Sequence, residues 1–216
     1  MACSICETRR EKRFCLAIHG RICPQCCGEQ RETTLDCPAE CVYLQQAREH
    51  EKPRPLEDLD QSTLFPKIDI DRQFLRQQEQ LILGLSFALR ESTHADRSLH
   101  DSDLISALSA LARTYETLAN SGLHFEAPLA NLGHQAVASK VQKMIEEYRM
   151  AEQNQIGYSR LRDSDVLRAL VFLLRLAIGR TSGRPRSRGF VDFLSTQFPE
   201  KPSAIASPEG SGILLA

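Results

Sequence analysis

All eight cysteines of this 216-residue chain lie between positions 3 and 41, and the 175 residues that follow contain none. Whatever ties the first part together therefore cannot tie the second, and the chain divides into two parts built on different physics. The spacing is Cys3-x2-Cys6-x8-Cys15-x7-Cys23-x2-Cys26-Cys27-x9-Cys37-x3-Cys41. It contains two C-x2-C turns twenty residues apart. Such a turn lets two thiolates converge on one tetrahedral ion while backbone amides support the sulfurs. The second, Ile22-Cys23-Pro24-Gln25-Cys26-Cys27-Gly28, carries the Pro and Gly of a turn.

Eight thiols divide into two four-cysteine sites, and the adjacent Cys26 and Cys27 suit different ions. The interleaved arrangement places Cys3, Cys6, Cys23 and Cys26 at site 1. It places Cys15, Cys27, Cys37 and Cys41 at site 2, with His19 as a substitute ligand for Cys27. This implies two Zn2+ per chain, closed by sulfur and structural rather than catalytic. Iron–sulfur clusters and a disulfide framework are the competing readings. The N-terminus, Met1-Ala2-Cys3-Ser4-Ile5-Cys6-Glu7, lacks the apolar stretch of a secretory signal, so a reducing cytoplasmic setting is expected. Between the cysteine pairs, residues 13–18 and 21–23 read as two short strands joined at His19-Gly20. Cys37-Pro38-Ala39-Glu40-Cys41 reads as a helix start, with Pro38 at the first helical position and the helix running to about Glu51. The module is therefore a short β-hairpin plus a helix over residues 1–52.

The run Arg13-Phe14-Cys15, then Ile22-Cys23-Pro24-Gln25-Cys26-Cys27-Gly28-Glu29-Gln30-Arg31-Glu32, then Asp36-Cys37-Pro38-Ala39-Glu40-Cys41-Val42-Tyr43-Leu44 resembles an uncharacterised family of bacterial proteins. Later segments resemble it too: Thr114 to Leu118 with Gly122 downstream, and Gly183-Arg184-Pro185 with Ser187, Arg188 and Phe190. The resemblance covers most of the chain and is most specific at Cys26-Cys27-Gly28. It implies a bacterial cytosolic zinc-binding protein with a cysteine-rich N-terminus and a helical remainder. It implies no activity and no catalytic residue.

Residues 53–68 read as a polar linker with Pro53, Pro55 and Pro66. Helical periodicity then predicts a four- or five-helix bundle over 69–198. The first helix carries Phe74, Leu75, Leu81, Ile82, Leu85 and Leu89, and Gly84 within it marks a close helix contact. The second begins at Asp101 and stops at Gly122. The third runs from about Gln135 to Gln153, and the fourth from Asp163 to Gly179. Residues 101–111 and 163–173 are identical at six of eleven positions, which suggests two related helical hairpins. The fourth helix is apolar nearly all round, leaving Arg168 and Arg175 on one wet stripe. A last amphipathic helix brings Phe190, Phe193, Leu194 and Phe198 onto the bundle, and 199–216 reads as a disordered tail.

The chain carries 27 Lys and Arg against 28 Asp and Glu, which excludes a uniformly basic nucleic-acid coat. Two basic runs stand out locally, one over 9–13 and one at Arg180, Arg184, Arg186 and Arg188; the second is expected to be an exposed connection. The match of Glu91-x-x-His94 to a di-iron ligand pair lacks the second copy such sites need. His94, His100, His124 and His134 suit loops and helix ends. No nucleophile–base pair, phosphate loop or dinucleotide fingerprint appears, so an enzyme is the least supported class. The expected function is a zinc-binding, non-enzymatic adaptor or regulatory protein working through an unidentified protein partner. The alternatives are nucleic-acid binding through the two Arg runs and a zinc–thiolate redox sensor. A homodimer is open, and no segment is long and apolar enough to span a membrane.

Overall fold

The computed structural model describes residues 1–50, 63–123, 125–129 and 131–199. The segment 53–62 of the expected linker, the expected tail from 200 onward and His124 lie outside the described residues. The chain is mainly helical, with one small antiparallel hairpin beside the cysteines. Strand β1 (Arg13–Cys15) pairs with β2 (Gly20–Ile22) in the register Arg13 to Ile22, Phe14 to Arg21 and Cys15 to Gly20. Strand β1 is shorter than the sequence suggests and β2 starts one residue earlier, because residues 16–19 form the turn.

Helix α1 (Pro24–Gln30) occupies the second C-x2-C turn. Pro24 sits in its first turn, where its missing N–H costs nothing, and the Cys23 thiol caps it by accepting from the Cys26 amide at 3.4 Å. Helix α2 (Val42–His50) starts later than the sequence suggests. Cys37 and Cys41 are not on one helical face. The Cys41 amide closes a turn onto the Pro38 carbonyl at 3.0 Å, and the Cys41 carbonyl then starts α2 by accepting from Leu44 and Gln45. Pro38 has preorganised a turn rather than a helix start. Ile22, Leu35 and Leu44 join seven of the cysteines in the buried interior of this module.

The second core begins before residue 69. Leu64 and Phe65 are buried, and Arg175 donates to the carbonyls of Leu64, Phe65 and Ile68 at 2.9, 2.7 and 2.8 Å. Arg168 donates to the Asp69 carbonyl and lies over the Phe74 ring, 4.0 Å from its centroid. The supposed wet stripe is thus a pair of clamps on an incoming segment. Helix α3 (Arg72–Gln77), capped by Asp71, breaks at Gln78 before α4 (Glu79–Ala95). Next come α5 (Asp101–Ser121), α6 (Leu132–Ile156) and α7 (Asp163–Arg180). Gly122 and Gly157 end α5 and α6 in the left-handed conformation, where a Cβ is disfavoured.

The hairpin expectation needs correction. The principal helix contacts are α5 with α7, α4 with α6 and α5 with α6, whereas the chain neighbours α4–α5 and α6–α7 are not among them. The two similar helices, α5 and α7, pack on each other because both bury a broad apolar face: Leu104, Leu108 and Leu111 meet a helix carrying Val166, Leu170 and Leu174. Gly84 does mark a close approach; a Cβ there would stand 2.6 Å from Met144 Cε on α6.

Helix α8 (Gly189–Gln197) docks on this bundle as its aromatic pattern suggests. Phe190, Val191 and Leu194 are buried, and Phe198 meets Phe87 edge to face at 5.8 Å. The start of α8 is held by Asp101, a fully buried carboxylate at the start of α5. Its oxygens accept from the amides of Phe190 and Val191 at 3.1 Å and from Ser187 Oγ at 2.8 Å, while its own amide donates to the Ser187 carbonyl. An anion buried against a helix N-terminus with three donors is among the stronger polar contacts a fold can make. Asp101→Ala strands those donors and should cost about 2–4 kcal/mol, lowering the melting temperature, with Asp101→Asn intermediate. Gly189→Ala should also destabilise, because its Cβ would collide with the rigid Arg180 carbonyl oxygen. Equal melting curves for all three variants and the parent would refute this account.

Candidate metal centre

The sulfurs of Cys3, Cys6, Cys23 and Cys26 lie within 4.8 Å of one another. Three of these residues are buried and Cys6 is half-buried. The chain brings them together through two turns and the hairpin. The Glu7 amide bonds to the Cys3 carbonyl at 2.8 Å, closing the first turn with Glu7 in the left-handed region. The Cys3 amide donates to Arg9 and the Ser4 amide to Arg21, which lays the first turn along β2. The Cys23 amide then reaches Cys3 Sγ at 3.2 Å, and the Cys26 amide reaches Cys23 Sγ.

Four sulfurs around a tetrahedral ion at about 2.3 Å stand about 3.8 Å apart, so this donor set fits a thiophilic metal. The electrostatics point the same way. Burial works against ionisation of Cys3, but the amides of Cys6, Cys23 and Ile5 outweigh it and bring the thiol down to about 6. The Cys26 amide likewise lowers Cys23. Cys26 is pushed up to about 12, first by burial and then by the neighbouring sulfurs of Cys23, Cys6 and Cys3. Four clustered thiols cannot all ionise without a cation among them, and a dication removes the conflict. Arg9 adds charge from outside: its Nη1 stands 3.9 Å from both Cys23 Sγ and Cys26 Sγ.

The other four cysteines are also buried, but they do not make a group as tight as the first. Cys15 ends β1, Cys27 lies on α1, and Cys37 and Cys41 flank the Pro38 turn. Burial raises the Cys37 thiol, and the charges of Cys41, Cys15 and Glu32 raise it further, while the Glu32 amide opposes them. Cys27 instead meets Arg13, whose Nη1 is 3.4 Å from its sulfur and whose guanidinium lies over the Tyr43 ring. His19 is exposed in the hairpin turn at φ 49° and stands outside the four-sulfur group.

The second basic run is not a bare connection. Arg184 donates to the carbonyls of Gly28 and Arg31 at 3.1 and 2.7 Å, which grips the end of α1. Arg188 donates to the carbonyls of Arg97 and Leu99, and Arg180 stacks on Phe193 at 3.7 Å. Sequence reasoning misses these pairings because a backbone carbonyl leaves no residue signature. It also misses Arg48, which bridges Glu32 at 2.9 Å and Asp192 at 2.7 Å and so ties the module to α8. His134 bonds Asp103 at 2.9 Å near the start of α5, and Glu91 pairs with Arg90, so neither gathers as a metal ligand. No described helix is long and apolar enough to cross a membrane. Compared with protein-family models, curated proteins and solved structures, the chain matches none, and the site is read on its own geometry.

Two outcomes follow from that geometry. With Cys26 protonated near neutrality, metal uptake must expel protons, so affinity should rise with pH and calorimetry in buffers of different ionisation enthalpy should show net proton release. Arg9→Ala should leave the metal bound but weaken it about tenfold against a competing chelator, as loss of an outer-shell partner does. An unchanged affinity would mean that Arg9 does not support the thiolates.

Proposed function

We propose that this is a zinc-binding, non-enzymatic adaptor or regulatory protein that works through contacts with a protein partner. The observation that carries the reading is the convergence of Cys3, Cys6, Cys23 and Cys26. An all-sulfur tetrahedral site is closed, leaving no coordination position for a substrate, so its metal holds shape. The shape it holds is a small module with too little apolar interior to stand alone. The same module is bolted to the bundle through Arg184, Arg48 and Glu32. A rigid surface carried on a stable helical body is what an adaptor requires.

Zinc is the proposed ion, at two per chain. Cys15, Cys27, Cys37 and Cys41 are assigned to the second; the mutual influence of Cys15, Cys37 and Cys41 supports that grouping. A cytoplasmic setting and kinship with the bacterial family that the sequence resembles complete the proposal. The redox-sensor reading draws on one feature, the half-buried Cys6 among seven buried cysteines. Zinc release by peroxide at micromolar levels, reversed by a thiol, would favour it.

Metal analysis of protein made in a reducing cytosol should find two zinc ions per chain. Cys6→Ser should remove one ion, and Cys15→Ser or Cys41→Ser the other. Loss of the same ion from the Cys6 and Cys15 variants would refute the pairing. A specific partner recovered from the native cell by the loaded chain, and lost with Cys3→Ser, would support the adaptor reading. A salt-sensitive shift of labelled RNA or duplex DNA with no protein partner would replace it.

A further inference from the structure

Along the first arm of the hairpin, exposure alternates without a break from Arg10 to Ile18. Arg10, Lys12, Phe14, Leu16 and Ile18 face out, whereas Glu11, Arg13, Cys15 and Ala17 turn in. The inward set is used up by the module: Cys15 is buried, Arg13 meets Cys27 and Tyr43, and Glu11 is 10% exposed. The outward set is free of such duties and is graded. Cations stand at the base, and Phe14, Leu16 and Ile18 follow towards the tip at 50%, 37% and 41% exposure. Arg21, its side chain 63% exposed, faces Phe14 across the ladder and adds a third outward cation, paired at its base with Glu11 at 3.7 Å.

The geometry points to a docking surface for an anionic lipid bilayer, with the hairpin tip seated in the interface and Arg10, Lys12 and Arg21 at the headgroups. The order of the groups carries this choice. Outward positions along a strand are about 7 Å apart. Phe14 is the outward residue of β1, and the 16–19 turn carries Leu16 and Ile18 beyond it, so the apolar side chains lead into the headgroup–acyl boundary while the cations stay at the charged layer. Of the three outward apolar side chains only Phe14 offers a nucleic-acid base a ring to stack on; Leu16 and Ile18, nearer the tip, offer none. The tip is a convex turn, which a deformable surface accepts without a matching groove. The chain as a whole is formally −1, so attraction must come from this local collar, and neither apolar burial nor charge alone would hold the protein. The inference is independent of the adaptor reading, because it concerns only the outer face of the hairpin.

The chain has no tryptophan, so Ile18→Trp places a single reporter at the tip. In the full-length zinc-loaded protein, its emission should shift to the blue on adding vesicles of 70% phosphatidylcholine and 30% phosphatidylglycerol. Brominated acyl chains should quench it. Binding to these vesicles should exceed binding to pure phosphatidylcholine at least tenfold and should fall with salt. Against the parent chain, the triple variant Phe14→Ser, Leu16→Ser, Ile18→Ser should lose at least tenfold in vesicle co-sedimentation, with its zinc content unchanged. The triple variant Arg10→Glu, Lys12→Glu, Arg21→Glu should do the same. If either triple variant loses zinc, the single exposed substitutions Ile18→Ser and Lys12→Glu serve in its place. Equal binding of parent and variants, or no blue shift, would overturn the proposal. So would the same shift with an oligonucleotide in the absence of lipid, or self-association that the serine variant abolishes.

Discussion

Glu32 brings its carboxylate into a site where only 1% of the residue meets solvent, and every polar atom it owns is engaged. One oxygen accepts from Arg48 and the other from Ser182; the backbone carbonyl accepts from the Arg186 amide, and its own amide supports the Cys37 thiol. A carboxylate so buried is tolerable only when paired, and truncating it would leave Arg48 to face Asp192 with half its compensation lost. The residue also adopts φ 52°, a left-handed backbone that costs a non-glycine residue about 1 kcal/mol. That strain is offset because the turn delivers the side chain to the bundle and the amide to the cysteines together. Module and bundle, with separate cores, meet through this point and through the Arg184 grip on α1, so their joint is polar and directional.

The sequence made legible those features that depend on spacing. The C-x2-C pairs at Cys3 and Cys23 converge as their spacing suggests, because each short turn brings its two thiols to one side. Helix α5 starts at Asp101 and stops at Gly122 because the bond from the His100 amide to the Asp103 carboxylate and a left-handed stop both act locally. The failures share a different cause. Cys37 to Cys41 looked helical by capping rules, yet Pro38 supports a turn equally well, and the turn is what leaves both thiols buried. Gln78 interrupts a continuous apolar pattern without a Gly or Pro to announce it. Arg168, Arg175, Arg184 and Arg188 looked like surface charge because their acceptors are main-chain carbonyls far away in sequence. A sequence shows which residues carry donors; it shows acceptors only where they are side chains.

The likeness of α5 and α7 acquires a physical sense from their packing. Each starts with Asp-Ser-Asp, which places acid at the positive end of the helix dipole, and each presents leucines three and four apart. Two helices with such broad apolar faces bury most by meeting each other, and α4 and α6 are left to close the same core from outside. The shared Asp serves different ends in the two copies. Asp101 is sealed in and caps α8, whereas Asp163 remains partly exposed and pairs with Arg149 at 2.5 Å. The fold has thus put one of two equivalent acids to work as an internal anchor for the C-terminal helix.

The division of labour between metal and apolar core decides how the protein can come apart. The bundle buries leucines and valines from five helices, with Phe74 from a sixth. The module buries chiefly sulfur, and thiols this crowded oppose one another's ionisation, a conflict that a cation among them would relieve. The free energy of binding the proposed ion would therefore be folding free energy chiefly for the module. It would reach the bundle along the gripped end of α1, through Glu32 and Arg48, and through the Asp36–His100 contact. Loss of the ion would release those carbonyls and leave Asp192 and Arg48 to water, while Asp101 still holds α8 in place. On the proposed metal-bound reading, the N-terminal surface would depend on the ion, whereas the helical body has an apolar core of its own.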